Sequence, residues 1–143
     1  MKIKIKRFDK SIPLPEYKTK GAACVDLYAR EDVTIPPGEL GYIPLNVAVE
    51  VPETCWVLLA ARSSTHKLGL IPANGIGIGD SDFNGDNDEY KLIVYNVKKD
   101  PVTVEKGTRV AQISVVNYEK VELEEVDSLG NADRGGIGST GSK

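Results

Sequence analysis

Apolar and polar residues alternate from the start of the chain. In Lys2-Ile3-Lys4-Ile5-Lys6 a period of two puts Ile3 and Ile5 on one face of a strand. Short segments rich in Val, Ile, Leu and aromatic residues follow at fairly even spacing: Cys24 to Ala29, Tyr42 to Val51, Cys55 to Ala61, Lys91 to Val97, Arg109 to Val116 and Val121 to Val126. Pro36-Pro37-Gly38, Pro52-Glu53 and Lys98-Lys99-Asp100-Pro101 punctuate them as turns. No window sustains the i, i+3, i+4, i+7 spacing of an amphipathic helix, and only Ser63 to Leu68 has room for one helical turn. Many short strands divided by Gly and Pro predict an all-β sandwich, jelly roll or barrel.

The pattern stops at Gly130. From there to Lys143 the chain is rich in Gly and has almost nothing to bury, which predicts a mobile tail of residues 130–143 behind a folded domain of residues 1–129. At 143 residues the chain has the size of one domain. No apolar run approaches the roughly 20 residues that span a bilayer, and Met1 to Phe8 is too lysine-rich for a signal peptide, so the chain reads as soluble and cytoplasmic.

Charge and cysteine usage narrow the chemistry. A net charge of -3 with scattered Lys and Arg argues against direct nucleic-acid binding and for a small-molecule partner. Cys24 and Cys55 sit in apolar segments and read as reduced packing residues. With one histidine, His66, and no CxxC spacing, neither a structural zinc site nor a Ser/His/Asp relay can be assembled. Carboxylates, arginines, hydroxyls and backbone amides must carry whatever chemistry there is.

Several clusters offer such groups. Gly75-Ile76-Gly77-Ile78-Gly79 fails as a dinucleotide fingerprint, because its third glycine comes one residue early and no helix follows. Asp80-Ser81-Asp82-Phe83-Asn84-Gly85-Asp86 copies the first half of an EF-hand loop, but the twelfth position is Lys91 where calcium needs an acid. Gly136 to Lys143 is not a P-loop, yet its glycine amides lie beside Ser139, Thr140 and Arg134, all donors suited to phosphate. Arg62-Ser63-Ser64 stands at a strand end and could cradle a second anion; a solvated surface turn is the plainer alternative.

Asp26 is a carboxylate within a core strand, to be paired with an arginine or set beside a metal. In Gly107-Thr108-Arg109-Val110-Ala111-Gln112, opposite parity sends Arg109 and Gln112 to opposite faces. An ion pair would satisfy the first and a strand-crossing hydrogen bond the second.

The order of these segments is more specific than any one of them. Ala-Cys-Val-Asp-Leu, Arg-Ser-Ser, Gly-Ile-Gly-Asp-Ser-Asp-Phe-Asn-Gly, Gly-Thr-Arg-Val-Ala-Gln and Arg-Gly-Gly-Ile-Gly-Ser-Thr-Gly, spread from Ala22 to Gly141, resemble the five-motif series of the trimeric dUTP pyrophosphatases. The resemblance implies a jelly-roll subunit, a homotrimer with active sites between neighbours, and Mg2+-dependent hydrolysis of dUTP to dUMP and pyrophosphate. Such a reaction limits uracil incorporation into DNA and supplies dUMP for dTMP synthesis.

Residue by residue, it implies that Asp80 activates the attacking water and that Asp26 holds magnesium through water. Arg62, Ser63, Ser64 and Gln112 would contact phosphates. The hairpin from Asn74 to Lys91, with Gly77, Ile78 and Gly79, would read uracil, and Phe83 would pack under the deoxyribose. Arg134, Ile137, Ser139 and Thr140 would belong to a lid that closes over the nucleotide.

The chain departs from the family pattern at Cys24, at Gly79, where an aliphatic residue is usual and a looser hairpin is expected, and at Ile137, where a phenylalanine usually stacks on the base. The segment from Phe83 to Asn96 is also longer than in many members. A non-catalytic nucleotide-binding protein of the same fold and a dCTP deaminase-related enzyme are the alternatives. Asp80 speaks against the first, and the second lacks a matching acidic segment around its base.

Overall fold

The computed structural model describes residues 1–139 and Gly141. Among these residues eleven strands run in the order β1 (Lys4–Arg7), β2 (Val25–Tyr28), β3 (Val33–Ile35), β4 (Leu40–Pro44), β5 (Val47–Glu50), β6 (Cys55–Ala61), β7 (Leu70–Pro72), β8 (Gly77–Gly79), β9 (Lys91–Asn96), β10 (Val102–Val104) and β11 (Arg109–Asn117). One 3-10 turn, Thr65–Leu68, falls within the Ser63 to Leu68 window that the sequence left for it. All pairings are antiparallel, in two larger sheets ordered β2-β11-β6-β8 and β4-β9-β7 and two pairs, β1-β5 and β3-β10.

The period of two does its expected work. In β9, Leu92, Val94 and Asn96 are buried while Lys91 and Tyr95 are exposed. Leu27, Val57 and Val110 from the first sheet meet Ile43, Leu70 and Val94 from the second in one core, with Ile3 and Ile5 packed against its edge. This is the jelly-roll arrangement: two layers burying their inner faces against each other. Among the described residues no helix is long and apolar enough to cross a membrane.

Two segments differ from the sequence reading. Tyr42 to Val51 reads as one apolar run but folds as two strands, because Asn46 breaks it in the left-handed conformation at φ 68°. Asparagine tolerates that backbone when its side chain finds local partners. Here its Oδ1 accepts from Asp9 N at 2.6 Å and its Nδ2 donates to Asp9 O at 3.0 Å. The second departure is Val121 to Val126, which forms no strand. Val121, Leu123 and Val126 stand exposed, with no strand of the chain's own sheets paired to them.

Candidate functional site

The Arg-Ser-Ser segment leaves the end of β6 and is fixed from below by a residue that the motif does not include. Thr65 is buried, and its hydroxyl donates to Val110 O at 2.9 Å while accepting from Arg62 N at 3.0 Å. This ties the turn to β11. Ser63 is exposed and Ser64 half-buried.

Arg62 turns back over β11. Its Nε lies 3.1 Å from Asp26 Oδ2, and its Nη1 donates to Arg109 O at 3.3 Å and to Ser64 Oγ at 3.4 Å. Arg109 Nη1 meets the same Asp26 oxygen at 2.9 Å.

Asp26 thus pairs with both arginines, and Arg109 joins the site on the same face as Gln112. Parity had separated these two. A register shift between Arg109 and Ala111, where β11 bulges against β2, inserts one residue and reverses the face count. Gln112 lies opposite Asp26 and donates from Nε2 to Ala61 O at 2.9 Å, the strand-crossing bond its position required. The result is a compact patch of two guanidiniums, hydroxyls and amides around one carboxylate, a set matched to phosphate oxygens.

A magnesium ion fits this patch only in one form. Among the described residues no three His, Cys, Asp or Glu groups come close enough to cage a metal. Both arginines engage Asp26 Oδ2 and leave Oδ1 open. Magnesium keeps several waters and takes phosphate oxygens in preference to an all-protein cage, so a lone carboxylate beside a phosphate cradle suits it.

The other predicted residues gather in a cleft of about 570 Å³ at the far flank of β6. Asn74, Gly77, Ile78, Gly79, Asp80, Phe83 and Lys91 all line it. The hairpin pairs Gly77 with Leu59 and Gly79 with Val57, and Asp80 follows directly with an exposed side chain. A tight turn, with Phe83 N donating to Asp80 O at 3.1 Å, brings the Phe83 ring back over the cleft.

The extra residues after Gly85 form an anchor. Gly85 N donates to Asp88 Oδ2 at 2.7 Å. The Glu89 carboxylate accepts from Arg30 Nε at 2.8 Å and from Asn46 N at 2.9 Å. This pins the hairpin to the β4–β5 corner.

Gly79 does not loosen the hairpin. A Cβ there would stand 2.0 Å from the Tyr90 hydroxyl oxygen and 2.7 Å from Cε1 and Cζ of the same ring, so glycine is required by Tyr90. The Tyr90 ring fills the space that an aliphatic residue at 79 would occupy, and it packs edge-on against Phe83 with centroids 5.3 Å apart. Sequence reasoning missed Tyr90, Thr65 and Arg109 as parts of the site. Only an unusual pairing, glycine where bulk is expected and a tyrosine eleven residues later, hinted at the first.

The tail stands apart from both clusters. Its described residues are exposed except Gly136, which is half-buried, and Ile137 sits at φ 49°. Gly136 N donates to Ser139 Oγ at 2.6 Å, while Arg134 has no ion-pair partner among the described residues. Thr140 lies outside the described residues.

The two clusters also stand apart from each other. Strand β6 has β11 on one side and β8 on the other, and the Arg62 guanidinium faces the first while Asp80 follows the second. Five residues separate Val57, opposite Gly79, from Arg62, which at about 3.3 Å per residue is roughly 16 Å along the strand. Within one chain they diverge.

Comparison with known proteins matches this chain to the dUTPase family over residues 10–142. It is 37% identical to the deoxyuridine 5'-triphosphate nucleotidohydrolase of Dictyoglomus turgidum, covering 99% of each chain. It is 40% identical to the SPbeta prophage-derived deoxyuridine 5'-triphosphate nucleotidohydrolase of Bacillus subtilis, covering 100% of each. Among solved structures, the dUTPase from Streptococcus mutans superposes with a TM-score of 0.75 at 25% identity, over 82% of this chain and 98% of that one. A variant of the Staphylococcus bacteriophage 80alpha dUTPase with dUpNHpp shares the fold with a TM-score of 0.84 at 23% identity, over 99% of each. A full-length jelly roll, an ordered motif series and relatives of this similarity lead to one conclusion: the chain belongs to the dUTPase family.

Proposed function

We propose that this chain is a dUTP diphosphatase that hydrolyses dUTP to dUMP and pyrophosphate, acting on the cytoplasmic nucleotide pool. What supports the reading above all is that seven residues expected at the base, sugar and α-phosphorus line a single cleft with the Asp80 carboxylate exposed at its rim.

In this reading the Asp80 carboxylate takes a proton from a water molecule as that water attacks the α-phosphorus. The bond from the α-phosphorus to the bridging oxygen then breaks, and pyrophosphate leaves. A displacement of this kind asks the protein for positioning and charge neutralisation rather than a covalent nucleophile. Arg62, Ser63, the Ser64 amide and Gln112 hold phosphate oxygens, with Arg109 beside them. Asn74, Gly77, Ile78, Gly79 and Lys91 bound the uracil, and Phe83 lies under the deoxyribose, where its bulk excludes a 2'-hydroxyl. Magnesium, held through water at Asp26 and by the phosphates, would neutralise charge on the leaving group.

The active unit is a homotrimer. Arg62 reaches Asp26 on the β11 side of β6 while Asp80 follows β8 on the other side, so the phosphate patch of one chain serves the cleft of another. Exposed Val121, Leu123, Val126 and Leu129 call for cover that one chain does not provide. The tail that begins at Gly130 acts as a lid that carries Arg134 and Ser139 to the phosphates of a neighbouring site. Ordering its glycines is costly in entropy, which ligand contacts offset.

The test is pyrophosphate release by the purified protein with magnesium. Release from dUTP should far exceed that from dTTP, dCTP or UTP, and equal rates on all four would remove the assignment.

A further inference from the structure

Tyr90 immediately precedes β9, at the end of the segment that follows the hairpin turn, and is only 5% exposed. Both of its backbone groups are taken: its N donates to Val47 O at 3.0 Å and its O accepts from Leu45 N at 2.9 Å. The ring is therefore held in one place. Its hydroxyl is the one buried side-chain nitrogen or oxygen, among the described residues, with no hydrogen-bond partner.

An orphaned buried hydroxyl is costly to a fold, and natural proteins tolerate one mainly where a ligand or a moving group completes it. The position of this one is specific. It lies against the backbone of Gly79, the residue before Asp80, and it lines the same cleft as Asp80 and Phe83. Burial, together with the negative charges of Asp80 and Asp88, pushes the phenol up to about 12, so it stays protonated and can only be satisfied as a donor or by accepting from water. The Asp88 carboxylate already accepts from Gly85 N at 2.7 Å. The Asp80 carboxylate accepts no side-chain hydrogen bond among the described residues, and it is attached to the backbone that the hydroxyl touches.

We propose that Tyr90 is a positioning residue whose hydroxyl donates a hydrogen bond to the Asp80 carboxylate when nucleotide occupies the cleft. The inference rests on Asp80 as the water-activating group. It explains why the chain keeps glycine at 79: any side chain there would displace the donor. It also explains the buried hydroxyl, which is unsatisfied until Asp80 turns inward to face substrate. Held by one donor, Asp80 keeps an oxygen aimed at the attacking water instead of sampling solvent-facing rotamers.

The experiment is Tyr90→Phe, read by kcat, KM for dUTP, and the thermal midpoint of the unliganded protein. Loss of a hydrogen bond to a charged group that forms only in the working complex should lower kcat on the order of tenfold with KM little changed. The unliganded midpoint should stay the same or rise, because the variant removes a hydroxyl that has no partner. Unchanged kcat in Tyr90→Phe would overturn the proposal. So would a fall in kcat matched by a lower midpoint, which would mark a structural role, or a rise in KM alone, which would mean that the hydroxyl binds substrate. Absence of dUTP turnover in the unaltered protein would instead defeat the functional reading itself, so the two failures are distinguishable.

Discussion

Replacing Gly79 by alanine tests the packing beneath the cleft. Gly79 does not lie in the left-handed region, so the substitution meets no backbone penalty and its effect is purely steric. The new methyl would begin 2.0 Å from the Tyr90 hydroxyl oxygen and 2.7 Å from two ring carbons. The ring has little room to withdraw, with Phe83 edge-on at 5.3 Å, its own backbone bonded to Leu45 and Val47, and the neighbouring Glu89 held by Arg30 and Asn46.

Overpacking of this kind costs about 1 to 3 kcal/mol. For a chain of this length that is a fall in thermal midpoint of about 3 to 9 °C. The cost should come from one neighbour, so a cycle of Gly79→Ala, Tyr90→Leu and the double variant, unfolded by urea at a fixed protein concentration, should show coupling of about 1 kcal/mol or more in favour of the double. The reasoning fails if Gly79→Ala unfolds within about 0.5 kcal/mol of the parent, or if the two changes add to within about 0.5 kcal/mol.

Four further outcomes follow from other parts of the structure. Asp80→Asn should abolish pyrophosphate release while nucleotide binding, measured by calorimetry, is largely retained; near-normal turnover would remove Asp80 from its role. Truncation after Asn131 should cripple turnover and leave the folded oligomer unchanged by light scattering, whereas Ile137→Phe should tighten nucleotide binding by about 1 to 3 kcal/mol if the lid reaches the base. Asp9 is held below its ordinary value of 3.8 by hydrogen bonds from the Lys106 ammonium and from Ser11. A depressed carboxylate stabilises the fold fully above its unfolded value and loses that contribution as pH falls below it, so Asp9→Asn should flatten the acid side of a stability profile below about pH 4, and an unchanged slope would contradict the assignment.

Strands were legible where an apolar run and its flanking turn signals lay in one stretch of chain. Cys55 to Ala61 is a continuous apolar run between Pro52-Glu53 and Arg62-Ser63-Ser64 and folds as β6 with those bounds. Tyr42 to Val51 was not legible as two strands, because the break depends on Asn46 finding Asp9, 37 residues away. Val121 to Val126 carries apolar residues suited to a strand, but it pairs with no strand of its own chain and leaves Val121, Leu123 and Val126 exposed. The motifs marked the segments that fold into the patch of Asp26, Arg62 and Gln112 and into the cleft, since each motif is contiguous in the chain. What they could not convey was the bulge that turns Arg109 toward Asp26, or the contact between Gly79 and Tyr90. Both are properties of neighbouring strands, not of the segments themselves.

The order of the largest sheet has a consequence for how the molecule is made. In β2-β11-β6-β8 the strand that joins β2 to β6 is the last one synthesised. Until residues 109–117 have left the ribosome, β2 has no partner in this sheet and β6 has only one, so two unpaired edges wait with their apolar faces uncovered. The shorter-range pairing of β6 with β8 can form earlier, but the main sheet closes only at the end of synthesis, through contacts of long sequence separation that form slowly. A nascent or prematurely terminated chain ending before Arg109 is thus not a smaller version of the fold but a pair of exposed templates for aggregation, and completion of β11 is the event that commits the chain to its native layers.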